Sequence, residues 1–226
     1  MKVGARSVVA VIAAKDLRVE LRARHATVLV GPFVATLVVS FGLSLGPGGA
    51  AVERLAPGLL WLTALFGAVL LCRRAYEAEF DDDAMLGLLL SPRPNSVLYL
   101  GKAIAIAIQL AVLESGVFGL VAVLYGLPAA ASPGGLAAAL LLGALGMGGL
   151  GALLGAVSGA ARTRESVLPL LVFPLSVPML IAGAKATAIA LYGPIGELGR
   201  WLGLLLVVAL VFWAAGTLLF DYMVED

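Results

Sequence analysis

Six apolar stretches, most of them near the length needed to cross a bilayer, constrain this fold more than any other feature. They lie at 26–45, 58–72, 103–125, 134–158, 167–184 and 201–220. A transmembrane helix needs about 20 mostly apolar residues, and the second stretch is shorter than that. A membrane β-barrel would instead alternate apolar and polar residues, and Leu202–Phe212 does not alternate. The sequence therefore predicts an all-α, polytopic membrane protein with six transmembrane helices.

The composition excludes several classes of protein. The chain is 62% hydrophobic and only 13% charged, whereas soluble domains are about 25% charged. A net charge of +1 provides no basic surface for nucleic acid. A single cysteine and a single histidine exclude a disulfide framework, a CxxC pair and most histidine-based metal or haem cages within this chain alone. A free soluble enzyme and a nucleic-acid-binding protein are thus excluded.

Lysine and arginine are distributed very unevenly between the two sides of the predicted bundle. Twelve lie in the N-terminal segment and in the second and fourth loops, and three lie in the other loops. Cytoplasmic loops carry the excess of positive charge, so we expect both termini in the cytoplasm. The single transmembrane domain then covers 1–226, with a cytoplasmic N-terminal segment at 1–25 and a cytoplasmic loop at 73–102.

The N-terminal segment has two interpretations. Lys15, Arg18 and Arg22 share one helical face, and Leu17 and Leu21 fall on another. Such a helix can lie on an anionic membrane surface. The alternative is a basic flank that only sets the orientation of the chain.

The loop at 73–102 carries most of the functional signal. Asp81, Asp82 and Asp83 suit the positive end of a helix dipole, so we expect a helix to start there. Met85–Leu90 gives that helix an apolar body, and Pro92 and Pro94 end it. An exposed apolar cluster marks a contact surface, which is either the membrane or a groove on a cytoplasmic partner. The acidic residues favour the partner, because an anionic leaflet repels them.

The order of features in this loop resembles the coupling loop of ABC-2-type permeases, which enters a cleft on a cytoplasmic ATPase. The matching positions are Glu77, Glu79, Asp83, Leu88, Leu89, Leu90, Ser91, Pro92, Gly101 and Lys102. One departure is Leu86-Gly87, where the wider family often has Leu-Glu. The resemblance therefore implies an ATPase-coupling helix that lacks one charged contact.

Other stretches narrow the resemblance to the haem-exporter B (CcmB) family of cytochrome c maturation. They are the segments Lys15–Arg24, Ala56–Phe80 and the proline-rich fifth stretch Leu168–Pro178. The resemblance implies an ABC-2 permease architecture in the bacterial inner membrane. It also implies a cytoplasmic ABC ATPase and other haem-handling membrane subunits as partners, with a homodimer as one option for supplying a second membrane half.

The function implied by this resemblance is export of haem, or release of haem already loaded onto a periplasmic chaperone. Two other functions stay open at this point. One is an ABC-2 exporter of another substrate, such as a drug, a lipid or a polysaccharide. The other is a non-transporting scaffold that converts ATPase work into remodelling of a complex.

No enzyme or cofactor motif accompanies these features. The sequence has no GxxxxGK[ST], HExxH or GxSxG pattern, so we expect the ATPase on a partner chain. It has no CxxCH run, and we interpret His25 as an interfacial residue and Cys72 as a buried apolar residue at a helix end. Haem is then a substrate of the complex and not a cofactor of this chain.

Within the membrane, Glu114 and three prolines are the functional candidates. A charge at mid-membrane costs about 2.5–3.5 kcal/mol, so Glu114 should face the bundle interior, protonated or paired. Its role is either in a substrate path or gate, or in a structural hydrogen bond. Pro169, Pro174 and Pro178 predict a span that is broken or bent for movement, or else a static kink.

A strip of small residues predicts close helix packing in the fourth stretch. Gly151, Gly155 and Gly159 follow one another at four-residue spacing, which lets two helices approach closely. The partner helix belongs either to the same subunit or to a second one, and packing within the subunit is the favoured expectation.

Overall fold

The computed structural model describes residues 5–23, 30–45, 49–81, 95–160 and 164–224. Within these ranges the chain forms seven α-helices and one short 3-10 helix at Ile195–Glu197. The α-helices are α1 (Ala5–Ala23), α2 (Gly31–Leu45), α3 (Ala50–Asp81), α4 (Asn95–Tyr125), α5 (Pro133–Ala160), α6 (Arg164–Tyr192) and α7 (Leu198–Val224). The prediction of an all-α fold is confirmed.

Five of the described helices are long and apolar enough to cross a membrane. Their candidate spans are Ala50–Arg73, Ser96–Tyr125, Pro133–Gly155, Leu170–Tyr192 and Ile195–Phe220. The first predicted stretch, 26–45, overlaps α2 (Gly31–Leu45), whose 15 residues measure about 22 Å along the axis. That is less than the roughly 30 Å of a hydrocarbon core.

Several spans extend beyond their predicted limits because helices continue through isolated charges. The second stretch, predicted as short at 58–72, is the 24-residue span Ala50–Arg73. It includes Arg54 and also Pro57, which lies inside α3. Lys185 and Arg200 lie inside the last two spans, and both are exposed. Long basic side chains keep their charge near water while their stems cover apolar surface.

Helix α5 lies at the centre of the bundle and packs against α3, α4, α6 and α7. Its sequence is rich in glycine and alanine, and small residues allow helix backbones to approach closely. Helix α2 packs against α3 and α4, and α1 packs against α4. Helix α7 keeps a large apolar surface exposed, including Val207, Leu210 and Leu218. An exposed apolar face of this kind suits contact with lipid.

Tyrosine side chains connect the helices by hydrogen bonds to backbone carbonyls. The Tyr99 hydroxyl lies 3.1 Å from the carbonyl oxygens of both Gly149 and Phe212, and so joins α4 to α5 and α7. The Tyr125 hydroxyl donates to the carbonyl of Val38 in α2 at 3.0 Å. A carbonyl oxygen has a second lone pair, so it accepts these bonds without losing its helical partner. Buried aromatic donors are thereby satisfied without charged groups.

Three chain segments meet at one end of the bundle. Asp16 of α1 contacts Lys102 near the start of α4. The rings of Tyr99 in α4 and Phe220 in α7 lie 5.7 Å apart. The N-terminal helix, the beginning of α4 and the C-terminal part of α7 are therefore close together.

At the opposite end, the α4–α5 connection is fixed to α6. The amide of Ser132 donates to the carbonyl of Ala190 at 2.9 Å. The Ser132 hydroxyl accepts a hydrogen bond from the amide of Gly135 at 3.3 Å, as an N-cap does, and Pro133 follows it at the first helical position. Gly193, with φ of +74°, ends α6, because glycine adopts this left-handed conformation at little cost.

Candidate functional site

The predicted ATPase-coupling segment lies mostly outside the described residues. Glu77 and Glu79 belong to the last turns of α3, which continues to Asp81. Asp83, Leu88, Leu89, Leu90, Ser91 and Pro92 fall in the range 82–94, for which the structure gives no description. The coupling helix itself therefore stays a prediction.

The coupling helix was expected to start in the acidic run Asp81–Asp83, and this expectation is wrong for Asp81, whereas Asp82 and Asp83 lie outside the described residues. Asp81 is the last residue of α3, so it lies at the negative end of a helix dipole. The sequence of α3 has no glycine or proline after Arg73, so nothing stops the helix where the apolar run ends. Helical structure therefore extends into both ends of the loop predicted at 73–102, since α3 ends at Asp81 and α4 begins at Asn95.

The Gly101-Lys102 pair of the resemblance connects α4 to α1. Lys102 is only 1% exposed, and its Nζ lies 3.5 Å from a carboxylate oxygen of Asp16. A Cβ atom added at Gly101 would lie 2.7 Å from Cβ of Ile12. Glycine at 101 is therefore required for the close approach of α1. The contact between Lys102 and Asp16 therefore joins the N-terminal helix to the bundle.

The outward face of α1 combines basic and apolar residues. Lys15, Arg18 and Arg22 are exposed, and Val11 and Leu21 are 66% and 76% exposed. Ile12, Ala13 and Asp16 are more buried and belong to the face that meets α4. The amphipathic pattern seen in the sequence is thus oriented, with its basic side away from the bundle.

Glu114 is placed in the bundle interior, as its free-energy cost in lipid predicts. Its side chain is 1% exposed, and neither carboxylate oxygen has a hydrogen-bond partner among the described residues. Buried polar groups in native proteins are nearly always paired. Leaving a buried group of this kind unpaired costs about 1–3 kcal/mol, and more when it is charged. Glu114 is therefore the most costly polar group that the structure describes.

Beside Glu114, the indole of Trp61 fills the junction between α3, α5 and α6. Cβ atoms added at Gly143 of α5 or at Gly183 of α6 would collide with the Trp61 ring. Nε1 of Trp61 donates to the hydroxyl of Thr187 at 3.0 Å. A Cβ atom at Gly143 would also lie 3.4 Å from Oε2 of Glu114. Glu114 and Trp61 therefore meet at one glycine of the central helix.

Neither Trp61 nor Thr187 was expected from the sequence to belong to this site. They are separated by 126 positions and lie on different apolar helices. The signal that could have identified Trp61 is the rarity of tryptophan, since the chain has three, and its position in the mostly small and aliphatic middle of α3. Gly143 and Gly183 gave no signal, because glycine occurs 28 times in the chain.

The three prolines do not break their span. Pro169, Pro174 and Pro178 all lie within α6, which is continuous from Arg164 to Tyr192. Pro174 and Pro178 are exposed, and between them the Ser176 hydroxyl donates to the carbonyl of Phe173 at 2.9 Å. Serine hydroxyls and neighbouring helices are known to compensate for proline in membrane helices. The expectation of a broken span is wrong, because α6 is continuous through all three prolines. A bend that serves movement and a static kink both stay predictions.

The glycine strip of α5 packs within the subunit at Gly151. A Cβ atom at Gly151 would collide with Sγ of Cys72 in α3. Gly155 is buried on the same helix, and Gly159 follows it near the end of α5. One turn before Gly151, a Cβ atom at Gly148 would lie 2.8 Å from the backbone nitrogen of Ala107 in α4. These small residues let α3, α4 and α5 pack closely.

The single cysteine and the single histidine were the remaining residues considered in the sequence. Cys72 is buried at 3% exposure, as predicted, but it does not end its helix, because α3 continues to Asp81. His25 lies outside the described residues. Among the residues that were described, no three His, Cys, Asp or Glu side chains are grouped so that they could hold a metal ion.

Long apolar helices packed around a glycine-rich central helix define a multi-pass α-helical membrane protein. The family model described as "CcmB protein" matches residues 7–220. The chain therefore belongs to the CcmB family.

Individual relatives cover most of the chain. The Heme exporter protein B of Paracoccus denitrificans is 38% identical over 178 residues, which are 76% of this chain and 78% of the relative. The Heme exporter protein B of Pseudomonas aeruginosa is 35% identical over 182 residues, which are 79% and 80% of the two chains. The protein of the same description from Bradyrhizobium diazoefficiens is 29% identical over 205 residues, covering 89% and 90%.

Proposed function

We propose that this chain is the membrane permease subunit of an ABC complex that acts on haem during cytochrome c biogenesis. The observation that carries the proposal is its similarity, over about four-fifths of its length, to proteins described as Heme exporter protein B. The complex either exports haem or releases haem from a loaded periplasmic chaperone. It resides in the bacterial inner membrane.

In this proposal the membrane domain has six spans and cytoplasmic termini. The first of these spans is the predicted stretch at 26–45, of which α2 is the described helix. The contact of α1 with the start of α4, and of α4 with the C-terminal part of α7, supports termini on one side. The excess of lysine and arginine in the segments near that end supports a cytoplasmic location for it.

The cytoplasmic segment at 82–94 is proposed to dock on an ATPase. The length of α3 supports this, because it continues to Asp81, eight residues past the end of its span at Arg73. About 12 Å of helix therefore projects beyond the span, with Glu77 and Glu79 in this projection. Force applied to residues 82–94 would reach the bundle interior directly through α3 and α4, both of which contact α5.

The second membrane half that such a complex needs is proposed to be another copy of this chain or a different haem-handling membrane subunit. The exposed apolar faces of α4 and α7, with Val112 and Val123 on α4 71% and 80% exposed, are available for lipid and for that subunit.

Deleting the gene for this chain tests the proposal in the cell. We expect c-type cytochromes to lose their covalently bound haem, as measured by peroxidase staining of haem after denaturing electrophoresis, while non-covalent b-type cytochromes keep their absorption spectrum. Expression of the chain from a plasmid should restore the stained bands. A deletion strain that keeps its full set of stained c-type cytochromes would exclude a role in their maturation and would favour an exporter of another substrate.

A further inference from the structure

The four-helix junction around Glu114 contains a carboxyl group without a counter-charge. Both of its oxygens are buried and unpaired among the described residues. The only other buried charged residue described is Lys102, which lies twelve positions earlier on α4, about 18 Å along the helix axis. No cation that the structure describes can therefore neutralise a carboxylate at this position.

The titratable groups on the helices around Glu114 lie elsewhere. Among the residues whose side chains the structure describes, they are Glu53, Arg54, Cys72 and Arg73 on α3, Tyr99, Lys102 and Tyr125 on α4, and Lys185 and Tyr192 on α6. Helix α5 has no titratable residue. Since none of these groups donates a hydrogen bond to either oxygen of Glu114, the carboxyl is stable in this packing only in its neutral form.

The same junction is sterically closed around Trp61. The indole lies against Gly143 on one helix and Gly183 on another, where a single added methyl group would collide with it, and its Nε1 is bonded to Thr187. Oε2 of Glu114 lies next to Gly143 as well. Glu114 and Trp61 are each only 1% exposed, so water reaches the carboxyl only when the helices around the indole separate.

We propose that Glu114 is a proton-binding site whose occupancy is linked to closure of the Trp61 junction. In the closed state the carboxylic acid keeps its proton. When the helices separate, water enters, the O–H bond of the acid breaks, the electron pair stays on the carboxylate oxygen, and the proton passes to water. Closure reverses this transfer. Each opening and closing of the bundle thus releases and takes up one proton at this position.

This inference goes beyond the proposed function and does not depend on the partner or the substrate. A bundle that opens in response to ATPase movement would bind protons more weakly when open. Conversely, alkaline conditions would favour the open junction even without an ATPase, because protonation and closure are linked reciprocally.

Infrared difference spectroscopy of the purified full-length chain tests the protonation state. We expect a C=O stretching band of a protonated carboxylic acid at neutral pH, which shifts to lower frequency in heavy water and disappears in Glu114→Gln. The control Glu197→Gln removes an exposed carboxylate and should leave the band unchanged. Absence of the band at neutral pH would mean that Glu114 is ionised, and would overturn the proposal.

The fluorescence of Trp61 tests the link to closure. The chain has three tryptophans, so Trp201→Phe and Trp213→Phe leave Trp61 as the reporter. Raising the pH into the alkaline range should shift its emission to longer wavelength, and Glu114→Gln, which keeps the size and cannot ionise, should abolish the shift. The same shift with Glu114→Gln present would overturn the link, as would emission that does not change with pH in the reporter chain.

Discussion

Replacing Leu88, Leu89 and Leu90 together with glutamate is expected to abolish co-purification of this chain with its ATPase. Burial of a leucine side chain contributes about 1.5–3 kcal/mol, so the three contribute several kcal/mol to docking if they fill a groove. Since each 1.4 kcal/mol is tenfold in affinity, we expect the ATPase to bind at least about 100-fold more weakly. The measurement is the amount of ATPase retained on affinity-tagged permease extracted in mild detergent.

The matched control adds the same negative charge close to the leucines in sequence without removing them. Arg93→Glu combined with Asn95→Glu should keep the ATPase bound, because the apolar contact is intact. Membrane insertion of both variants is checked by the amount of chain in washed membranes. Normal retention of the ATPase by the triple leucine variant would show that this segment is not the docking site, and its apolar residues would then belong on the membrane surface.

Adding one methyl group at Gly143 is expected to destabilise the bundle strongly. In Gly143→Ala the new Cβ atom collides with the Trp61 ring, and the ring cannot move aside because Gly183 and Thr187 hold it. Overpacking of a close-packed interior costs about 1–3 kcal/mol. The measurement is the midpoint of thermal or denaturant-induced unfolding in detergent.

Two comparisons isolate the cause of that loss. Gly116 lies in α4, and a Cβ atom added there would meet no other atom within 4 Å. Gly116→Ala should therefore be neutral or slightly stabilising, because alanine favours helix more than glycine does. Trp61→Phe added to Gly143→Ala should recover part of the stability, because the smaller ring withdraws from position 143. A double-mutant cycle with no coupling between positions 61 and 143 would contradict the packing described here.

The helices could be predicted from the sequence because a bilayer requires about 20 mostly apolar residues in each span. A single charged residue does not remove that pattern. The ends of the helices could not be predicted, because a window of apolar residues stops at a charge whereas a helix does not. Arg54, Lys185 and Arg200 are accommodated at exposed positions, and Lys102 is accommodated by Asp16. Asp16 is one of two acidic residues in the mostly basic α1, and it was the available signal for that pairing.

In the interior site, too, one feature could be predicted from the sequence and another could not. The burial of Glu114 follows from the cost of a charge in lipid, which depends on one residue alone. Its neighbour Trp61 and the fit of the indole between Gly143 and Gly183 depend on how three helices pack. Small residues are favourable at many helix positions in a membrane, so the sequence pattern does not distinguish the two glycines that meet the indole from those that face lipid.

The most direct test of the proposed function is ATP hydrolysis by the complex of this chain with its ATPase and membrane partners, reconstituted in lipid vesicles. We expect haem, or the haem-loaded chaperone, to raise the rate of hydrolysis, and we expect the triple glutamate variant at Leu88–Leu90 to remove that increase. A rate that does not respond to haem in either form, and that rises instead with a lipid, a drug or a polysaccharide, would contradict a role in haem handling.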